Sequence, residues 1–146
     1  YNHYGSALSR MADYYNGKDL YKSLVPLQKR LSTLSTSEPK SWIDLFYSKN
    51  VYIIGYGLDN AEIDIWWLLG KRARMSKNNR LPIIKFYEMD LINEQLQAKE
   101  KALAAFGVTT DIKSLLQTKK NELNKAYAKY YLDVLEEINN SINIKL

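Results

Sequence analysis

The spacing of apolar residues changes several times along the chain, and each change marks an element. Residues 5–16 place Leu8, Met11 and Tyr15 on one helical face, with Gly17 as a stop. Residues 18–35 carry Leu20, Leu24, Leu27, Leu31 and Leu34 at three-to-four spacing. This predicts a packed helix with Pro26 in its first turn. Ser37, Glu38 and Pro39 open a further short helix through Trp42, Leu45 and Phe46. After the turn Ser48-Lys49-Asn50 the helical period gives way to a continuous apolar run. Residues 51–56 are β-branched and aromatic and predict a strand buried on both faces.

The second half repeats the alternation. Residues 60–76 predict a helix, and residues 81–87 a second strand with Pro82 at its beginning, where a missing donor is tolerated. Residues 91–105 predict a helix stopped by Gly107, and residues 108–111 a short third strand. From about residue 111 to 140 the pattern predicts one long helix. Its buried stripe would be Leu116, Leu123, Tyr127, Tyr130, Val134 and Ile138. The order predicts an α/β fold: a partial Rossmann-like parallel sheet of two to three strands, flanked by many helices and ending in a helix-rich C-terminus. A chain of 146 residues fits a single domain.

Composition acts mainly by exclusion. There is no cysteine, which removes disulfides and thiolate metal sites, and the single histidine, His3, removes a histidine-based zinc site. No metal ligands are expected. No run of 18 apolar residues spans a membrane and no signal-peptide pattern opens the chain, so a cytoplasmic location is the expectation. The chain opens on Tyr1 rather than Met, which suggests a piece of a longer protein. The net charge of +5 includes a basic stretch of Lys71, Arg72, Arg74, Lys77 and Arg80. It reads either as a solvated helix end or as a patch facing phosphate or nucleic acid. No glycine–aromatic strand signature accompanies it, so nucleic acid is not the expected partner.

The chemistry-bearing stretch is residues 51–69, VYIIGYGLDNAEIDIWWLL. An apolar strand delivers Gly55-Tyr56-Gly57-Leu58, and a helix start follows. Beyond the carboxyl ends of parallel strands lies the crevice where ligands bind. A sharp strand-to-helix turn needs glycine and aims backbone N–H groups at an anion, so Gly55 and Gly57 suit a phosphate or ribose. A tight turn and nothing more is the competing reading, since the full GxGxxG fingerprint is absent. Asp59 and Glu62 match a capping box, with Leu58 and Ile63 as its hydrophobic staple. Glu62 could instead hold a ribose hydroxyl or water. Asp64 stands between Ile63 and Ile65 and must face solvent, a crevice or a cation. Trp66 and Trp67 read as core or interface anchors, with base stacking the lesser alternative. Glu88 and Asp90 follow the second strand, where an acid can bind ribose hydroxyls or cap the next helix; Asp90 suits the cap and Glu88 remains open. His3 has no acid or nucleophile near it in sequence, and no catalytic residue is assigned.

The stretch GYGLDNAEIDIWWLLGKRAR resembles the C-terminal half of bacterial sirtuin-like proteins of phage-defence systems. The features that carry the resemblance are the strand, Gly-x-Gly-Leu, Glu62-x-Asp64, the tryptophan pair and Arg72-x-Arg74. The following strand and the phrase Ala105-Phe106-Gly107-Val108 keep the same order, and His3-Tyr4-Gly5 resembles the helix start after that family's catalytic segment. Abortive-infection proteins with a Gly-x-Ser-Leu loop are the alternative relatives. The resemblance implies a Rossmann-like sheet that binds NAD and, in defence members, hydrolyses it. It implies cofactor contacts at Gly55, Tyr56, Gly57, Leu58 and Asp64. The glycine-rich pyrophosphate loop and the catalytic His-Gly segment have no counterpart here, since His3-Tyr4 departs from the latter. The expectation is therefore a nucleotide-binding fragment, inactive alone, that works with a missing N-terminal half and could form a homo-oligomer. The competing expectation is a non-catalytic helical interaction module with a structural glycine turn.

Overall fold

The computed structural model describes residues 2–34, 36–59, 61–76, 80–90, 94–115 and 120–143, and the side chains of these except 2–6 and 143. His3, Lys77 and Leu116 therefore lie outside what is described at side-chain level. The chain is α/β, with three parallel strands in one sheet and six α-helices among the described residues. It divides into two compact units, Tyr1–Val51 with Leu58–Ile84, and Tyr52–Gly57 with Lys85–Leu146.

The first unit is helical. Helix α1 (Asn2–Asn16) ends where expected, at Gly17 in the left-handed region (φ +65°). The leucine-spaced stretch after it does not form one helix. It breaks into a 3-10 turn at Asp19–Tyr21, a single α-turn α2 (Leu27–Arg30) and another 3-10 turn at Leu31–Thr33. Pro26 is the cause: it stands before α2 at ψ 139°, an extended value that ends any helix running into it. Leu27 and Leu34 are buried, whereas Leu20 projects into solvent, so only part of the predicted stripe is core. Helix α3 (Trp42–Ser48) starts later than predicted, capped by Ser41, whose Oγ accepts the Ile43 N–H at 3.3 Å. It buries Ile43, Phe46 and Tyr47 and leaves Trp42 and Leu45 exposed, which shifts the predicted face. Helix α4 (Ile63–Ser76) buries Leu68, Leu69 and Met75.

The second unit holds the sheet, in the order β1 (Val51–Ile54, from Tyr52 on), β2 (Ile84–Asp90), β3 (Val108–Ser114). The parallel sense is visible at its edge, where the Leu115 N–H past the end of β3 donates to the Asp90 carbonyl at the end of β2 (3.1 Å). The central strand β2 buries Phe86, Tyr87 and Met89. Strand β1 lies on the sheet edge and is half-buried along its length, which corrects the prediction of burial on both faces. The third strand runs on to Ser114, into the stretch predicted as helix. Helix α5 (Glu94–Ala105) ends at Gly107 (φ +75°), as the sequence indicates. Helix α6 (Leu123–Asn143) packs Tyr130 and Val134 against Tyr87, Met89 and Leu115, with Tyr127 and Ile138 beside them. Lys85 adds ion pairs to Glu137 at 2.8 Å and Asp111 at 3.7 Å.

Candidate functional site

Two places carry polar chemistry, one in each unit. In the second unit the chain leaves β1 at Gly55, which adopts φ +63°. Only glycine takes that conformation without steric cost. No atom lies within 4 Å of the point where a side chain at Gly55 would begin. Gly55, Tyr56 and Gly57 are all exposed. The carbonyl of Gly57 accepts a hydrogen bond from Lys99 Nζ on α5. The same ammonium stands 3.2 and 3.3 Å from the two Glu88 oxygens and 5.9 Å from the centroid of the Phe86 ring, both on β2. Glu88 thus gains a definite partner, and Lys99 is the residue that periodicity alone passed over. Its signal was position: a lysine in the helix that follows an acid-bearing strand end.

Leu58 also takes positive φ, at +48°. Two expectations about this turn change. The helix does not follow directly, because residues 58–62 intervene before α4, so the turn is not a one-step passage from strand to helix. The staple pair does not close either, since Leu58 is fully buried and Ile63 is exposed.

In the first unit the capping box forms by halves. The Asp59 N–H donates to Glu62 Oε2 at 2.7 Å, but the Glu62 N–H donates to the Asp59 carbonyl at 3.0 Å rather than to its carboxylate. The Trp66 indole N–H takes the same carbonyl at 3.2 Å. Asp64, the second residue of α4, is half-buried and accepts the N–H of Ile65 at 2.9 Å. Trp67 meets Tyr15 edge-on at 5.6 Å, with Lys71 Nζ 5.2 Å and 5.4 Å from the two ring centroids. This fits an anchoring role. The cap expected of Asp90 falls on residues 91–93, outside those described.

The basic stretch is not one solvated helix end. Arg72 is only 4% exposed, lies over the Phe46 ring at 5.5 Å and donates through one terminal nitrogen to the Pro82 carbonyl. Its other terminal nitrogen is buried without a partner. Burial pulls the guanidinium down to about 10 from its ordinary 12.5. Arg74 turns back to the Gly70 carbonyl at 3.2 Å. Among the described residues of the stretch, Lys71, Arg72 and Arg74 each face a ring or a carbonyl of the same unit.

A second buried charge, Asp44, is satisfied. It is 1% exposed and accepts from the Tyr14 hydroxyl (2.7 Å), Arg30 Nη1 (2.8 Å) and the Lys40 N–H (2.8 Å). Arg30 Nη2 stands 2.8 Å from its other oxygen. Burial pushes this carboxyl up, but Arg30, Tyr14 and the Lys40 N–H together outweigh it and hold it below its usual range. Burial, and then Asp44, raises the Tyr14 hydroxyl to about 12. This hub is structural: three donors converge on Oδ2, and Arg30 neutralises the charge within the same unit, although Oδ1 and Arg30 Nη2 meet as an ion pair without a hydrogen bond.

The second unit also has an open cleft of about 350 Å³ lined by Leu96, Gln97, Glu100, Thr110, Asp111 and Ile112, and the glycine turn is not part of its lining. Among the described residues no group of three or more His, Asp or Glu is placed to hold a metal ion, and no helix is long and apolar enough to cross a membrane. No family model, curated protein or solved structure matches the chain.

Proposed function

We propose that the second unit binds a nucleotide of the NAD class at the carboxyl end of β1, as part of a sirtuin-like protein of bacterial defence. The observation that supports this reading is Gly55. It is a left-handed, exposed glycine immediately beyond a strand of a parallel sheet, with open space where any other residue would carry a side chain. Ligands of parallel α/β sheets lie at this level. Tyr56 is exposed beside the turn. Lys99 holds the Gly57 carbonyl and so sets the turn's position. Leu58 and Asp64 fall in the first unit, so the proposal rests on residues 55–57 and Lys99 of the second. The chain by itself is expected to leave NAD unhydrolysed.

Calorimetric titration of the chain with NAD tests the reading. Gly55→Asn is the informative variant, because asparagine tolerates positive φ while its side chain fills the open space. The expected result is binding by the wild type and an affinity at least about tenfold weaker in the variant, or about 1.4 kcal/mol. An unchanged circular-dichroism spectrum and thermal unfolding midpoint would show that the fold is kept. A wild type that binds neither NAD nor ADP-ribose overturns the nucleotide assignment. Equal binding by the two proteins overturns Gly55 as its seat.

A further inference from the structure

Helix α6 uses only one face to cover its own sheet. On the neighbouring face Leu132, Leu135 and Ile142 remain 60%, 53% and 53% exposed. With Ala128 and Asn139 they follow a four-three-four-three spacing, the seam of a coiled coil, in which a single polar residue at a core position selects register. The buried residues Tyr130 and Val134 belong to a different stripe, so packing on the sheet does not use this seam. The flank of the seam carries Lys129 and Glu136, both exposed and of opposite sign.

We propose that this seam pairs with α6 of a second copy of the chain, antiparallel, about a two-fold axis between Leu132 and Leu135. Charge complementarity chooses the occupant and the direction. In this register Leu132 lies in one layer with the second copy's Leu135, and Ala128 with its Asn139. Positions flanking the seam on the same side then face each other, so Lys129 meets the second copy's Glu136, and two-fold symmetry makes the contact twice. A parallel pairing would set Lys125 against its own copy and leave Lys129 and Glu136 unmatched. The seam is short, so the dimer forms reversibly over the micromolar to millimolar range.

Sedimentation of the chain over that range tests the proposal. The expected mass rises from 17.0 kDa to twice that value. Leu135→Glu should stay at the monomer mass at every concentration, with helix content unchanged because the side chain it replaces is exposed. Lys129→Glu and Glu136→Lys should each weaken the dimer several-fold, and the two together should restore it. The absence of cysteine allows a direct test of direction. A mixture of Ala128→Cys and Asn139→Cys proteins should form the mixed disulfide under oxidation, in preference to either like pair. A chain that stays monomeric throughout, a Leu135→Glu protein that dimerises like the wild type, or a double charge variant no better than the single ones overturns the proposal. Preferential like-with-like linkage at residue 139 overturns the antiparallel arrangement.

Discussion

Replacing Asp44 by alanine is expected to destabilise the first unit by about 3–5 kcal/mol, the range found when one partner of a buried ion pair is removed. The carboxylate gathers Tyr14, Arg30 and the Lys40 N–H, and all of these lose their acceptor together. Arg30 is left with a mostly buried, uncompensated charge, its side chain being only 14% exposed. Domains of this size have about 5–15 kcal/mol in total, so the variant should stand near the edge of folding. All three tryptophans, Trp42, Trp66 and Trp67, lie in this unit, so urea unfolding followed by tryptophan fluorescence reads it selectively. The pH dependence has a definite sign. The folded carboxyl titrates below its ordinary value, so its contribution is complete above the unfolded value of about 3.9 and fades as pH falls through the lower, folded one. Asp44→Asn should therefore lose most of its stability deficit, relative to the wild type, under acid conditions. A deficit below about 1 kcal/mol at neutral pH would show that the hub is worth no more than a surface pair.

The elements legible in the sequence were those whose local signals agreed. Strand β2 and helix α5 combine apolar pattern with clear punctuation, and Gly17 and Gly107 stop their helices with positive φ as glycines do. The stretch from residue 18 to 35 misled because leucine spacing continued through Pro26, and backbone sterics overruled periodicity. Strand β3 outruns its sequence signal because Val108-Thr109-Thr110-Asp111-Ile112-Lys113-Ser114 is half polar, as suits a strand that is only partly covered. An apolar run does not reveal which strand takes the sheet's edge, so for β1 it overstates burial. The candidate site was legible only in part. Gly55 was legible, since a left-handed turn after a strand selects for glycine. Lys99 was not, because its partners Gly57 and Glu88 are 42 and 11 residues away. The two buried charges were equally hidden. Asp44 is read as a polar residue on a helix until Arg30 and Tyr14, 14 and 30 residues distant, are seen to meet it.

Arg72 poses the opposite case to Asp44 and should give the opposite result. Its guanidinium is buried with one carbonyl and one ring face for company, and one terminal nitrogen has no acceptor. Among the described residues no carboxylate forms an ion pair with it, although every Asp and Glu of the chain lies within them. Replacing buried ion pairs by apolar residues of similar volume is often neutral or stabilising by about 1–4 kcal/mol, and a charge without a counter-ion has less attraction to lose. Arg72→Met keeps the length and flexibility needed to fill the space beside Phe46. It should stabilise the first unit by about 1–4 kcal/mol at neutral pH. Arg72→Ala should fall short of it, because the cavity it leaves offsets the relief. Burial disfavours the charged guanidinium but does not remove its proton in the range where the protein is folded, so the advantage of the methionine variant should hold across neutral and mildly alkaline pH. Urea unfolding of the three proteins, read through tryptophan, decides the matter. If Arg72→Met proves clearly less stable than the wild type, the Phe46 face and the Pro82 carbonyl are worth more than the burial of the charge costs.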